Sequence, residues 1–183
     1  MQKIYVVRHC KAAGQSVEAP LTEEGLEQAV QLANFLEGVG ADKLVASQFL
    51  RAIQSLEPLA QRLGLEIERD ERLGERVLSS QDEPNWMELL KAAYEDLDLS
   101  YEGGESGRTV MERAVAAVQD ILASGAQTTV LASHGGLTTH LLKYFDDSFG
   151  FESWQKLSNP DVYLLTFAEA DLASAKVERV WGK

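Results

Sequence analysis

Two short aliphatic runs each lead into a histidine: residues 3–8 (KIYVVR) stop at His9, and 128–132 (TTVLA) lead through Ser133 to His134. Runs of this length, rich in β-branched residues and bounded by turn signals, read as buried strands. Between them the period becomes helical. Thr22 stands as an N-cap ahead of Glu23 and Glu24, where a helix N-terminus favours acids, and Leu26, Ala29, Val30, Ala33 and Leu36 follow at helical spacing. Residues 43–47 (KLVAS) give a second strand and 48–63 a second helix, which Pro58 is expected to kink or to end in its first part. Residues 65–69 suggest a third strand. Beyond "GGES" (103–106), Val110, Met111, Ala114, Val115, Val118, Ile121 and Leu122 make the apolar stripe of a long helix. Residues 135–145 form another helix, and 161–167 with 175–181 two closing strands that suit a hairpin. Such alternation predicts an α/β fold, a three-layer α/β/α sandwich around a mostly parallel sheet.

The chain has 183 residues, enough for one well-buried core, and no repeat or linker divides it. A single domain over 1–183 is expected, with the acid-rich stretch 76–102, helical near 85–96, as a lid or insertion. Its net charge of −12 argues against nucleic acid as a partner. An anionic substrate would need a local cationic pocket, so basic residues at strand ends become informative. One cysteine cannot close an internal disulfide, and no apolar run approaches the roughly 18 residues of a membrane span. No membrane association and a cytoplasmic location are the expectations.

The stretch "VVRHCKAAGQS" offers two nucleophiles. A cysteine phosphatase needs an arginine six positions after the thiol, and Ser16 stands there instead. Cys10 is therefore expected to be a small buried residue. His9 and His134 both end strands, and ligands bind beyond the carboxyl ends of strands in open α/β sheets. Arg8 adjoins His9, and Arg51 lies at the start of the helix after the second strand. Two histidines and two arginines converging there would make a site for a multiply charged oxyanion. His140 lies about 240° around its helix from His134, so the two cannot share a metal. Without an HExxH motif or a cysteine cluster, neither a metal site nor a cofactor is expected.

"VVRHC" resembles the RHG signature of the histidine phosphatase superfamily, the phosphoglycerate-mutase-like family. The resemblance continues through "APLTEEGLEQA" (19–29), "ASQFLRAIQSLEPLA" (46–60), "RLGE" (72–75), "EGGES" (102–106) and "VLASHGGL" (130–137) in the family's order. It implies a phosphoglycerate-mutase-like fold and a phosphohistidine formed on His9. Arg8, Arg51 and a protonated His134 would bind phosphoryl oxygens, and Glu75 would donate the proton to the leaving group. Gly135, just after His134, would belong to the substrate-binding set. Three departures stand out. Cys10 replaces the family's glycine; the asparagine that often binds phosphate in the first loop has no match, leaving Gln15 or Ser16 as substitutes; and "RVLSSQ" after Glu75 departs from the family's aromatic, glycine-containing motif. Asp82 and Glu83 are the alternative acids.

These features point to a phosphomonoester hydrolase, of histidine acid phosphatase type, acting on a small phosphorylated metabolite. Family mutases carry a longer lid with paired arginines for a substrate carboxylate. Here 76–102 is acidic without such a pair, so the substrate alcohol is expected to be neutral or weakly cationic. Mutase-type phosphoryl transfer is the alternative, and a degenerate module binding a phosphometabolite or a protein is a third. The closing strands suit a monomer or a homodimer equally.

Overall fold

The computed structural model describes residues 1–182. Six strands make one sheet: β1 (Gln2–Arg8), β2 (Lys43–Ala46), β3 (Ile67–Arg69), β4 (Thr128–Ser133), β5 (Asp161–Phe167) and β6 (Lys176–Arg179). Their order is β3-β2-β4-β1-β5-β6. The first four are mutually parallel, whereas β5 runs antiparallel to β1 and forms the expected hairpin with β6.

Side-chain alternation explains why helices cover both faces. Ile4 and Val6 of β1 join one apolar cluster with Val45, Leu131 and Leu165; Tyr5 and Val7 join a second with Leu44, Ala46, Val130 and Ala132. A strand whose neighbours point to opposite faces and are buried on both must lie in a middle layer. Helices α4 (Gly107–Ala123) and α5 (Gly135–Phe145) close the first face, and α1 (Glu23–Leu36) and α2 (Leu50–Leu63) the second. Two shorter helices, α3 (Trp86–Glu95) and the unanticipated α6 (Phe151–Gln155), meet beside α5. Among the described residues no helix is long and apolar enough to cross a membrane.

Thr22 caps α1 as expected, its side chain accepting the Gly25 N–H at 3.0 Å. One expectation fails. Leu26 and Val30 point outward, and the buried face is Gly25, Ala29, Leu32, Ala33 and Leu36. Spacing by threes and fours through position 29 fits either set at its start, and only Leu32 resolves which flank turns inward. Of the two outcomes expected at Pro58 the ending does not occur: helix α2 passes through it, and Ala52, Leu56 and Leu59 bury on one line across that position. The expected energies separate accordingly. In urea unfolding, Leu32→Ala should cost about 2–5 kcal/mol, and Leu26→Ala no more than about 0.5 kcal/mol.

Candidate functional site

Parallel pairing sets Arg8 of β1 opposite Ser133 of β4, so the next residues, His9 and His134, emerge side by side with ring centroids 5.2 Å apart. On the far flank of β4, Ala46 pairs with Ala132 and the chain then reaches Ser47. The chain leaves β1 to form β2 across β4, with α1 on one face and α4 and α5 on the other. This strand-order reversal opens a crevice at the strand carboxyl ends.

The bonds of His9 define its tautomer. Nδ1 lies 2.6 Å from the Cys10 carbonyl oxygen, which can only accept, so Nδ1 carries the proton. Nε2 then presents a lone pair, and it accepts the Arg51 Nε–H at 3.2 Å. Asn159 Nδ2–H steadies the same turn by donating to the His9 carbonyl at 2.8 Å. Burial, reinforced by the Arg51 and Arg8 charges and opposed by the Cys10 bond, pushes the His9 pKa down to about 4. The imidazole is therefore neutral and nucleophilic near pH 7.

His134 is fully buried, and its Nε2 lies 2.7 Å from Ser47 Oγ. That hydroxyl also accepts the Phe49 N–H at 3.1 Å, and with a second lone pair and one proton it can pair with either tautomer of His134. Nδ1 has no hydrogen-bond partner among the described residues. Burial, with His9 and Arg51 adding to it, holds the pKa of His134 well below its ordinary value. Burial and the neighbouring cations thus favour the neutral ring while no anion is present, and the protonated form expected from the sequence requires the charge of a bound phosphoryl group beside it.

Arg51 is only 1% exposed; its Nη1 donates to the carbonyls of Ser16 at 2.8 Å and Gln15 at 3.2 Å. Its guanidinium carbon sits 4.8 Å from the Phe49 ring centroid. Arg8 Nη1 donates to the Leu157 carbonyl at 3.1 Å while its Nε is buried without a partner, and Gly135 packs directly against the guanidinium. Gln15 and Ser16 therefore serve Arg51 through their backbones. Gln15 also lines the cavity beside His9, but exposed Ser16 does not.

Glu75 reaches the site from a loop that Arg113 grips, donating to the carbonyls of Arg72 at 2.6 Å and Gly74 at 2.7 Å while paired with Glu105 at 2.8 Å. The Glu75 carboxylate caps the start of α5. Oε1 accepts the N–H of Arg76 at 2.7 Å and of Leu137 at 3.0 Å, and Oε2 accepts that of Gly136 at 3.1 Å. A Cβ on Gly136 would stand 2.7 Å from Oε1, so a side chain there would displace the acid. Glu75 lines the cavity with His9, whereas Asp82 and Glu83 do not.

The cavity measures about 500 Å³ and is walled by Arg8, His9, Lys11, Ala12, Gln15, Glu75, Arg76, Leu78, Trp86, Leu90, Gly136, Trp154 and Asn159. This corrects the reading of 76–102. None of the acids that stretch contains faces the cavity; Arg76, Leu78, Trp86 and Leu90 do. Ser47, Arg76, Trp154 and Asn159 were missed. Ser47 gave the same signal as the histidines, a polar residue just after a strand, but Asn159 and Trp154 arrive through folding alone. Cys10 is buried as expected, its backbone N–H bonded to Ser55 Oγ at 2.9 Å, and burial pushes its thiol pKa up to about 11.

The model of the histidine phosphatase superfamily (branch 1) matches residues 4–178. The chain belongs to that superfamily. A "probable phosphoglycerate mutase" of Salmonella paratyphi C is 29% identical over 154 residues, which cover 74% of this chain and 70% of that protein. Among solved structures, a mycobacterial glucosyl-3-phosphoglycerate phosphatase with bound vanadate (VO3) is 25% identical, with a TM-score of 0.80 over 99% of both chains. The YhfR protein of Bacillus stearothermophilus shares the superfamily's fold at 22% identity, with a TM-score of 0.79 over 98% of this chain and 96% of that one.

Histidine electrostatics of this kind has a direct readout. His9 and His140 are both pushed down to about 4, chiefly by burial, and His134 well below its ordinary value. NMR of the imidazoles in the free protein should show all three in the neutral form from about pH 8 down to about pH 5, where an unperturbed histidine near 6.5 is mostly protonated. In the unfolded chain these groups protonate first. Stability should therefore fall as the pH drops from about 6.5 toward 4.

Proposed function

We propose that the chain is a phosphomonoester hydrolase working through a phosphohistidine on His9. The observation that carries this reading is the His9 tautomer, with Nδ1–H held by the Cys10 carbonyl at 2.6 Å and the lone pair on Nε2, where it accepts the Arg51 Nε–H at 3.2 Å until phosphorus takes that place. Nε2 forms a bond to phosphorus as the ester P–O bond breaks. Arg8, Arg51 and His134 bind the phosphoryl oxygens, whose charge is the main load in this chemistry. Glu75 gives its proton to the departing alkoxide, then takes one from the water that cleaves the N–P bond. The named phosphatase and mutase relatives both suit a phosphoryl-transfer site of this kind.

The leaving group would sit against Leu78, Trp86, Leu90 and Trp154. A largely apolar wall in a cavity of about 500 Å³ favours an uncharged alcohol with an apolar or aromatic body. Buried Arg76, which also lines the cavity, argues against the weakly cationic alcohols that the sequence also suggested, because like charges repel. Lys11 is already paired with Glu24 and exposed, so it offers little to a substrate carboxylate.

Three measurements test the proposal. His9→Ala should lower kcat by at least about 10⁴-fold, as loss of a nucleophile does, while Cys10→Ala stays within about threefold because it removes only a small buried group. An acid-labile, alkali-stable phosphoenzyme should form in the native chain and be lost in His9→Ala; an active His9→Ala variant sinks the mechanism. In a panel of alkyl monoesters, 2-phenylethyl phosphate should exceed ethyl phosphate and 3-phosphoglycerate in kcat/KM by about tenfold or more. Little net phosphate release with a bisphosphoglycerate requirement would establish the mutase instead.

A further inference from the structure

His140 is buried in α5 and takes no part in the steps above. Both of its ring nitrogens are engaged. Nδ1–H donates to the Gly136 carbonyl at 2.7 Å, and Nε2 accepts the Arg76 Nη1–H at 3.3 Å. Only a neutral imidazole can donate from one nitrogen and accept at the other in this way. Arg76 is further tied by Nη2–H to the Glu105 carbonyl at 3.1 Å. The ring of Tyr94, from α3, stacks on His140 with centroids 4.6 Å apart and planes 17° from parallel. On another side α4 begins so close that a Cβ on Gly107 would lie 2.9 Å from His140 Nε2.

The two residues that His140 ties together are two of the three whose backbone N–H groups hold the Glu75 carboxylate. Gly136 N–H binds Oε2 and Arg76 N–H binds Oε1. Gly136 is thus held at its carbonyl by His140 while its amide holds the acid, and Arg76 is held at its guanidinium while its amide does the same. We propose that His140 is a positioning residue that, through Arg76 and Gly136, fixes the Glu75 carboxyl group for proton transfer to the leaving alkoxide. This rests on the reading of Glu75 as the acid. The stack with Tyr94 makes α3, which also supplies Trp86 and Leu90 to the leaving-group wall, part of the same support.

Leaving-group dependence separates positioning from general structural damage. 4-Nitrophenyl phosphate expels a stabilised phenolate that needs no proton, whereas 2-phenylethyl phosphate expels an alkoxide that does. For both, kcat/KM reports the step that forms the phosphoenzyme. His140→Ala should lower kcat/KM for the alkyl ester by about thirtyfold or more and for the nitrophenyl ester by less than about threefold, a selective part of the 10²–10⁴ that a general acid supplies. His140→Gln, whose amide can donate to Gly136 and accept from Arg76, should recover most of the alkyl rate. An equal fall on both esters, or none, overturns the proposal. Should the alanine variant not fold, His140→Asn, too short to keep the Arg76 bond, carries the same test with the same criteria. Glu75→Gln is the control. If it fails to discriminate the esters, the acid assignment fails and the inference with it; if it discriminates and His140→Ala does not, the inference alone fails.

Discussion

The parallel pairing of β1 with β4 is the constraint on which the site depends. It places Arg8 opposite Ser133, so that one further residue on each strand sets His9 beside His134. A slip by one residue would turn Ile4 and Val6 toward the α1 and α2 face and Tyr5 and Val7 toward the α4 and α5 face. Both apolar clusters would lose their fit at once. The burial that selects the fold therefore also fixes the alignment of the two imidazoles, and no separate device is needed to bring them together.

Charge gives the site its second property. In a chain of net charge −12, Arg8 and Arg51 are sunk at the strand ends with carbonyl oxygens and a neutral imidazole as their hydrogen-bond acceptors. Their nearest opposite charge is Glu75, which acts on both at longer range. Desolvated guanidinium groups held by neutral acceptors keep their attraction for an anion while losing the water that would compete with it. The acidic exterior and the cationic floor thus have different tasks: the first sets long-range repulsion, and the second acts over a few ångströms within the crevice.

How much of this was legible in the sequence depended on the distance over which each signal acts. Strand ends, the Thr22 cap and the apolar stripe of α4 are local, and they were readable. The inward face of α1 hinged on Leu32, which one ambiguous half-turn concealed, and the continuity of α2 through Pro58 was settled by tertiary burial overriding a local break. Between 76 and 102 the many acids suggested an acidic wall, yet Arg76, Leu78, Trp86 and Leu90 are what α3 and its approach turn inward. Composition reports what a segment contains, whereas which side faces the ligand is decided by neighbours such as His140 and Trp154 that lie far along the chain. Asn159 had no signal of its own, since only the pairing of β5 with β1 brings it to the His9 carbonyl.

Cys10, covered by the core and hydrogen-bonded through its backbone to Ser55, sits next to His9 with its thiol held far from ionisation. Peroxides and electrophiles attack thiolates, and a thiol with a pKa of about 11 offers almost none near neutral pH. Sulfur stands one residue from the His9 imidazole, yet in this form it gives oxidants little to react with. A nucleophile made of that sulfur would have to ionise and so be open to oxidants; held as a buried thiol, it presents them with almost no thiolate to attack.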